Sequence, residues 1–208
     1  MQYSDKQRKL ELFITKYIKS DPGVLYDIGV GPKSEWKTLG EYYPNMKIFG
    51  VEANPKMYEL IIAEGFPGIL LNNAIFNEPG FMELKMYRED GLDASLLPIK
   101  NRKVTARYKV ECMTLDQADT IFGKSDQILL WMDIEGAELS ALMSGPALLN
   151  SGRVKWINLE VRENPPWDHG CKASEVDSFL VLNGYSKAAE YNKHPHVGHY
   201  DVIYILNE

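Results

Sequence analysis

Leu25-Tyr26-Asp27-Ile28-Gly29-Val30-Gly31-Pro32 is the stretch that decides the fold of this 208-residue chain. An apolar run reaches an acid, then two glycines, then a segment that reads as helix. Roughly twenty residues on, Ile48-Phe49-Gly50-Val51-Glu52-Ala53-Asn54 makes the same move and ends on a second carboxylate. That is the skeleton of a nucleotide-type ligand site on a parallel sheet. Glycines let the backbone approach the ligand, and a strand-end acid accepts from ribose hydroxyls.

Working outward, apolar runs at 24–28, 47–52 and 68–71 read as strands, with helices at 33–43 and from Asn54-Pro55 between them. Asn is a good N-cap and Pro fits a first helical turn. This order predicts a doubly wound sheet with right-handed crossovers. Residues 81–87 and 108–112 alternate as half-exposed antiparallel strands, joined by a polar loop over 88–103 that contains Gly91 and Pro98. Thr114-Leu115-Asp116-Gln117 is a capping box. A buried strand at 128–134, a helix at 136–143, a strand at 154–161 and a capped helix at 174–182 follow. Strands near 185–191 and 202–206 close the chain as an antiparallel pair. The expected fold is a single α/β domain over 1–208: a Rossmann-like, doubly wound, mixed sheet, mostly parallel with a terminal antiparallel strand. To it belong an amphipathic packing helix at 5–20, a β insertion at 81–112 and an acceptor-site region at 164–201.

The glycine turn discriminates between ligands. A dinucleotide site prefers Gly-x-Gly-x-x-Gly, with helix N-terminal amides around a pyrophosphate. Here Pro32 removes an amide, the third glycine is missing and Glu35 adds negative charge. An acid ahead of the first glycine suits a zwitterionic methionine moiety better than a diphosphate. Asp27, Glu52, Asn73 and Asp133 all fall at expected strand ends, where ligands of open parallel sheets sit.

A second constellation is Leu129-Leu130-Trp131-Met132-Asp133-Ile134-Glu135-Gly136-Ala137-Glu138. Asp133 and Glu135 are two apart at a strand end, so both side chains can face one side. Such a pair holds a divalent cation or supplies a general base. Glu138 either joins them or caps the following helix.

Asp27-Ile28-Gly29, Val51-Glu52-Ala53-Asn54-Pro55, Asn73-Ala74-Ile75 with Gly80, Thr114-Leu115-Asp116, Asp133 to Glu138 with Gly145, and Asn158-Leu159-Glu160 occur in that order. Together, over about residues 24–163, they resemble the FkbM family of S-adenosylmethionine-dependent methyltransferases. The resemblance implies a class I methyltransferase fold and O-methylation of a sugar, glycan or small-molecule hydroxyl. It places Asp27, Gly29 and Gly31 at the methionine end, Glu52 with Ala53 at the ribose, Asn73 and Ala74 at the adenine edge, and Asp133 near the sulfonium and acceptor. Where the family continues its first turn as Gly-Ala-Asn-x-Gly, this chain has Val30, Gly31 and Lys33, and Lys33 or Ser34 substitutes in the methionine-carboxylate contacts.

Removing the proton of a hydroxyl needs a base or a metal, and the candidates are Asp133, Glu135 and Glu160, with His169 as an outsider on a loop past the Glu160 strand. A metal is possible but not expected: His194-Pro195-His196-Val197-Gly198-His199 has ligand spacing, yet reads as a polar loop. Trp167 stacks on a sugar ring or anchors its loop. A nicotinamide oxidoreductase would need a Tyr-x-x-x-Lys or His pair, and no such helix follows the fourth strand. A non-catalytic cofactor-binding subunit stays open because of the altered first turn.

The net charge of -6 argues against a nucleic-acid partner. Cys112 and Cys171 make no metal spacing and read as reduced thiols. The polar start and the lack of a ~20-residue apolar run point to a soluble, cytoplasmic protein without a membrane partner.

Overall fold

The computed structural model describes residues 16–33, 35–90, 93–123, 125–193 and 198–207. Its centre is β1 (Val24–Ile28), whose five residues are all buried. A 3₁₀ turn (Gly31–Lys33) leads to α1 (Glu35–Tyr42), then β2 (Lys47–Val51), α2 (Pro55–Ala63) and β3 (Ile69–Leu71). Asn54 caps α2 as its sequence suggests, its side-chain oxygen accepting from Lys56 N at 3.1 Å. After an excursion described below come α3 (Leu115–Phe122), β8 (Ile128–Met132), α4 (Glu138–Met143), α5 (Pro146–Asn150), β9 (Val154–Arg162), α6 (Ala173–Leu182), β10 (Tyr185–Tyr191) and β11 (His199–Leu206).

Seven strands form the main sheet in the order β10-β11-β9-β8-β1-β2-β3. Six strands point the same way, and β11 alone is reversed, wedged antiparallel between β9 and β10. The order turns back at β1, whose chain neighbour β2 lies on one side and the much later β8 on the other. That switch point opens the crevice in which ligands of such sheets bind.

Alternation of side chains sends each strand into two cores. Val24, Tyr26 and Ile28 join Leu130, Met132, Ile157 and the buried faces of α3, α4, α5 and α6. Leu25, with Leu129, Trp131 and Trp156, packs against Trp36 and Leu39 of α1 and Met57 and Ile61 of α2. The expected capping box at Thr114 is present, with Gln117 N donating to Thr114 Oγ1 at 3.1 Å and Thr114 N to Gln117 Oε1 at 2.9 Å. Its Asp116 does a further job: the carboxylate accepts from Ala147 N and Leu148 N at 3.0 and 2.8 Å, capping α5, a helix the sequence pattern did not indicate.

The excursion between β3 and α3 is a separate four-stranded sheet in the order β4-β7-β5-β6: β4 (Ala74–Ile75), β7 (Ala106–Met113), β5 (Gly80–Met86) and β6 (Ala94–Ser95). The antiparallel β5–β7 pair matches expectation. The polar loop expected over 88–103 does not: Ala94 and Ser95 pair with β5, and Leu96, Leu97 and Ile99 are buried. Of the helix expected at 5–20, residues 5–15 lie outside the described part. Ile18 is buried, and its carbonyl accepts from Tyr43 Oη at 2.7 Å. Cys112 and Cys171 are both free thiols. No helix among the described residues is long and apolar enough to cross a membrane.

Candidate active site

The turn after β1 is stitched to both neighbouring strands. Gly29 N donates to Val51 O at 2.8 Å, and Asp133 N donates to Ile28 O at 3.0 Å. Gly29 has φ +83, and a Cβ there would overlap the Asp133 carbonyl oxygen, so only glycine lets the ends of β1 and β8 come this close. Gly31, at φ +53, has open space where a Cβ would be.

Glu52, at the end of β2, is buried. Its Oε2 accepts from Gly31 N at 2.9 Å and its Oε1 from Asn54 N at 2.7 Å, so one carboxylate fixes both the glycine turn and the start of α2. Each oxygen keeps a further acceptor site. Burial pushes its pKa up, the two backbone amides pull it back, and Asp133 adds a smaller upward push.

These ends frame a cleft. Gly29, Gly31, Glu52, Ala53, Asn73, Ala74, Asp133 and Glu135 line it, eight of the residues expected from sequence. Asp27 is buried below the turn and does not line the cleft. Ser34 lies outside the described residues. Met57 of α2, Leu84 of β5 and Leu96 after β6 supply apolar walls that the sequence did not single out.

At the other end, β8 runs into a tight turn. Glu135 has φ +52 and Gly136 φ +99; the left-handed conformation is uncommon for a residue with a side chain and costs about 1 kcal/mol or more. Glu138 holds this turn, its Oε1 accepting from Ile134 N and Gly136 N at 3.2 Å each. It thus orders the turn from the first residue of α4. Complete burial pushes its pKa up to about 7, against the pull of those amides. Cys171 Sγ lies 3.6 Å from Glu138 Oε2, and burial, with Glu138 beside it, pushes that thiol up to about 12.

Carboxylate oxygens of Asp133, Glu135 and Glu160 come within 4.8 Å of one another. Arg162 supplies the neutralising charge: one guanidinium nitrogen is 3.5 Å from Glu135 and 3.4 Å from Glu160. Asp133 and Glu135 face the cleft, whereas Glu160 does not line it and also meets His199 Nδ1 at 3.5 Å. Burial raises the pKa of Glu135 well above the usual carboxylate range, Asp133 and Glu160 add to this, and Arg162 opposes it.

A clasp covers the turn. Ser95 Oγ donates to Glu135 O at 2.7 Å, Asp168 N donates to Pro98 O at 2.8 Å, and Lys100 N donates to Pro166 O at 3.0 Å. Trp167 is buried with its ring against Gly136, so it anchors the loop and has no free face for a sugar. His169, at φ +63, is exposed and does not line the cleft. His194 and His196 lie outside the described residues.

A sequence profile described as the methyltransferase FkbM domain matches residues 9–187. No curated protein matches the chain in sequence. The fold is similar to that of an FkbM methyltransferase from Methylobacillus flagellatus KT, with TM-score 0.56 and 11% identity; the match covers 89% of this chain and 44% of that one, so the chain spans less than half of that protein's length. It is also similar to magnesium protoporphyrin IX methyltransferase from Synechocystis PCC 6803 with bound S-adenosylmethionine (TM-score 0.53, 13% identity, covering 97% and 80% of the two chains). A third similar structure is 1,6-didemethyltoxoflavin-N1-methyltransferase from Burkholderia thailandensis with S-adenosylhomocysteine (TM-score 0.54, 9% identity, covering 98% and 79%).

Proposed function

The chain belongs to the FkbM family of S-adenosylmethionine-dependent methyltransferases, and from that premise we propose that it transfers a methyl group to a hydroxyl of a sugar, glycan or small metabolite. The observation that carries this reading is that Glu52 and the Asp133–Glu135 pair line one cleft from its two sides. The cofactor fits the residues present. Glu52 has acceptor sites left for both ribose hydroxyls, Met57, Leu84 and Leu96 offer apolar walls to a flat base, and Gly31 leaves the turn bare for close approach.

S-adenosylmethionine, when bound, supplies an electrophilic methyl group on a sulfonium. What remains for the chain is to align an acceptor and take its proton. An aliphatic hydroxyl is a weak acid, so a base whose own pKa is raised serves it better than an ordinary carboxylate. Glu135 meets that description: it lines the cleft, burial lifts its pKa, and the strained turn fixes it in place. Asp133, just past the end of β8, orients the hydroxyl. Glu135 would take the proton of the aligned hydroxyl as the methyl group is transferred to its oxygen.

Incubation with methyl-labelled S-adenosylmethionine and a panel of sugars, polyols and matched amines tests the proposal. Label on a hydroxyl is expected, with Glu135→Gln slowing transfer by roughly 10²–10⁴-fold at unchanged cofactor affinity. Label on amines alone, or full activity in Glu135→Gln, would overturn it.

A further inference from the structure

Arg162 is a residue that neither the sequence pattern nor the family match assigns. It ends β9, two residues after Glu160, so the two side chains share a face of the strand. Its guanidinium lies 3.5 Å from Glu135 on the neighbouring turn, 3.4 Å from Glu160, and 4.8 Å from the ring centre of Trp167. Trp167 in turn rests on Gly136. The Arg162 side chain is only 13% exposed. Its Nε has no hydrogen-bond partner among the described residues, while its Nη2 donates to Glu160 Oε1 at 3.4 Å, so charge, that one hydrogen bond and stacking hold it there.

We propose that Arg162 is the positioning residue of the acceptor end, holding the Glu135 carboxylate at the cleft wall and favouring its ionised form by bridging it to Glu160 and to the Trp167 clasp. The inference rests on Glu135 acting as the base. Among the described residues, four charged groups act on Glu135: Asp133 and Glu160 from the ends of β8 and β9, Asp93 from the segment before β6, and Arg162. Three are acids that favour protonation, and Arg162 alone opposes them. His199, on β11, acts at one remove through Glu160. A planar guanidinium spans two carboxylates that a lysine ammonium meets only as a point charge.

The test is carboxyl carbon-13 NMR titration of the intact, unliganded chain, with the Glu135 signal identified by its loss in Glu135→Gln. In Arg162→Met the Glu135 midpoint is expected to rise by about 1–3 pH units, the usual effect of removing an opposite charge at this range. In Arg162→Lys it is expected to rise by less. With an acceptor from the panel above, the acidic limb of kcat/KM moves by the same amount, a displacement that loss of packing alone would not produce. An unmoved Glu135 midpoint in folded Arg162→Met overturns the proposal; if that variant does not fold, an unmoved midpoint in Arg162→Lys does so. The titration needs neither cofactor nor acceptor. Failure of methyl transfer with a shifted midpoint would therefore refute the base role of Glu135 while leaving its link to Arg162 measured.

Discussion

Replacing Glu52 separates two jobs that one carboxylate performs. Its oxygens accept from Gly31 N at 2.9 Å and Asn54 N at 2.7 Å, so Glu52→Ala strands two backbone donors. Each buried, unpaired amide costs about 1–3 kcal/mol. The cleft admits water to part of the gap and a buried charge is relieved, which places the loss at about 2–4 kcal/mol. Glu52→Gln keeps one accepting oxygen and turns an amide group toward the other donor, for a loss of about 1–2 kcal/mol. Cofactor affinity should fall separately, by about 1–3 kcal/mol for weakened charge-assisted contacts to the ribose, or roughly five- to 150-fold. Urea unfolding measures the first effect, and titration calorimetry with S-adenosylmethionine on the folded Glu52→Gln protein measures the second. Unchanged affinity in that folded variant would remove Glu52 from the ribose. Unchanged stability of Glu52→Ala would show that its two amide contacts do not hold the turn.

At Gly136, a Cβ would stand 2.5 Å from Trp167 ring carbons at φ +99, so Gly136→Ala should cost about 2–5 kcal/mol from overlap and strain together. Gly31→Ala, with open space around the Cβ, should cost only about 1 kcal/mol, and equal urea midpoints for the two variants would refute the clasp geometry. Glu138 has its pKa raised to about 7 in the folded chain against an ordinary 4.5, so the native state binds the proton more tightly. Its contribution is therefore most favourable below about pH 4.5, falls by up to about 3 kcal/mol as pH rises to 7, and is flat above. Glu138→Gln keeps an oxygen for Ile134 N and Gly136 N, and should remove this slope and be more stable than the parent at pH 8; a pH profile identical to the parent's would contradict it.

The glycine turn, Glu52 and Asp133 could be read from the sequence because strand ends in a parallel sheet converge on one edge, whatever their separation along the chain. The apolar walls could not. Met57, Leu84 and Leu96 come from a helix, a strand of the second sheet and a loop, and each looks like any core residue. Leu96, Leu97 and Ile99 hid inside a stretch whose average polarity reads as loop. The acidic end was half legible: the two-residue spacing of Asp133 and Glu135 shows in the sequence. The approach of Arg162 depends on the register of β8 against β9, and that of His199 on the antiparallel return of β11, neither of which a local pattern encodes. His169 was a reasonable candidate by position along the chain, but its loop leaves it exposed. Asp116 illustrates the reverse case, a visible motif residue whose partner, the amide end of α5, appears only in three dimensions.

The cleft at the β1 switch point is expected to hold S-adenosylmethionine. Titration calorimetry of the intact chain against S-adenosylmethionine, S-adenosylhomocysteine and NAD at neutral pH tests it directly. Saturable binding of the first two and none of NAD is predicted. Binding of NAD alone, or of none of the three, would contradict it.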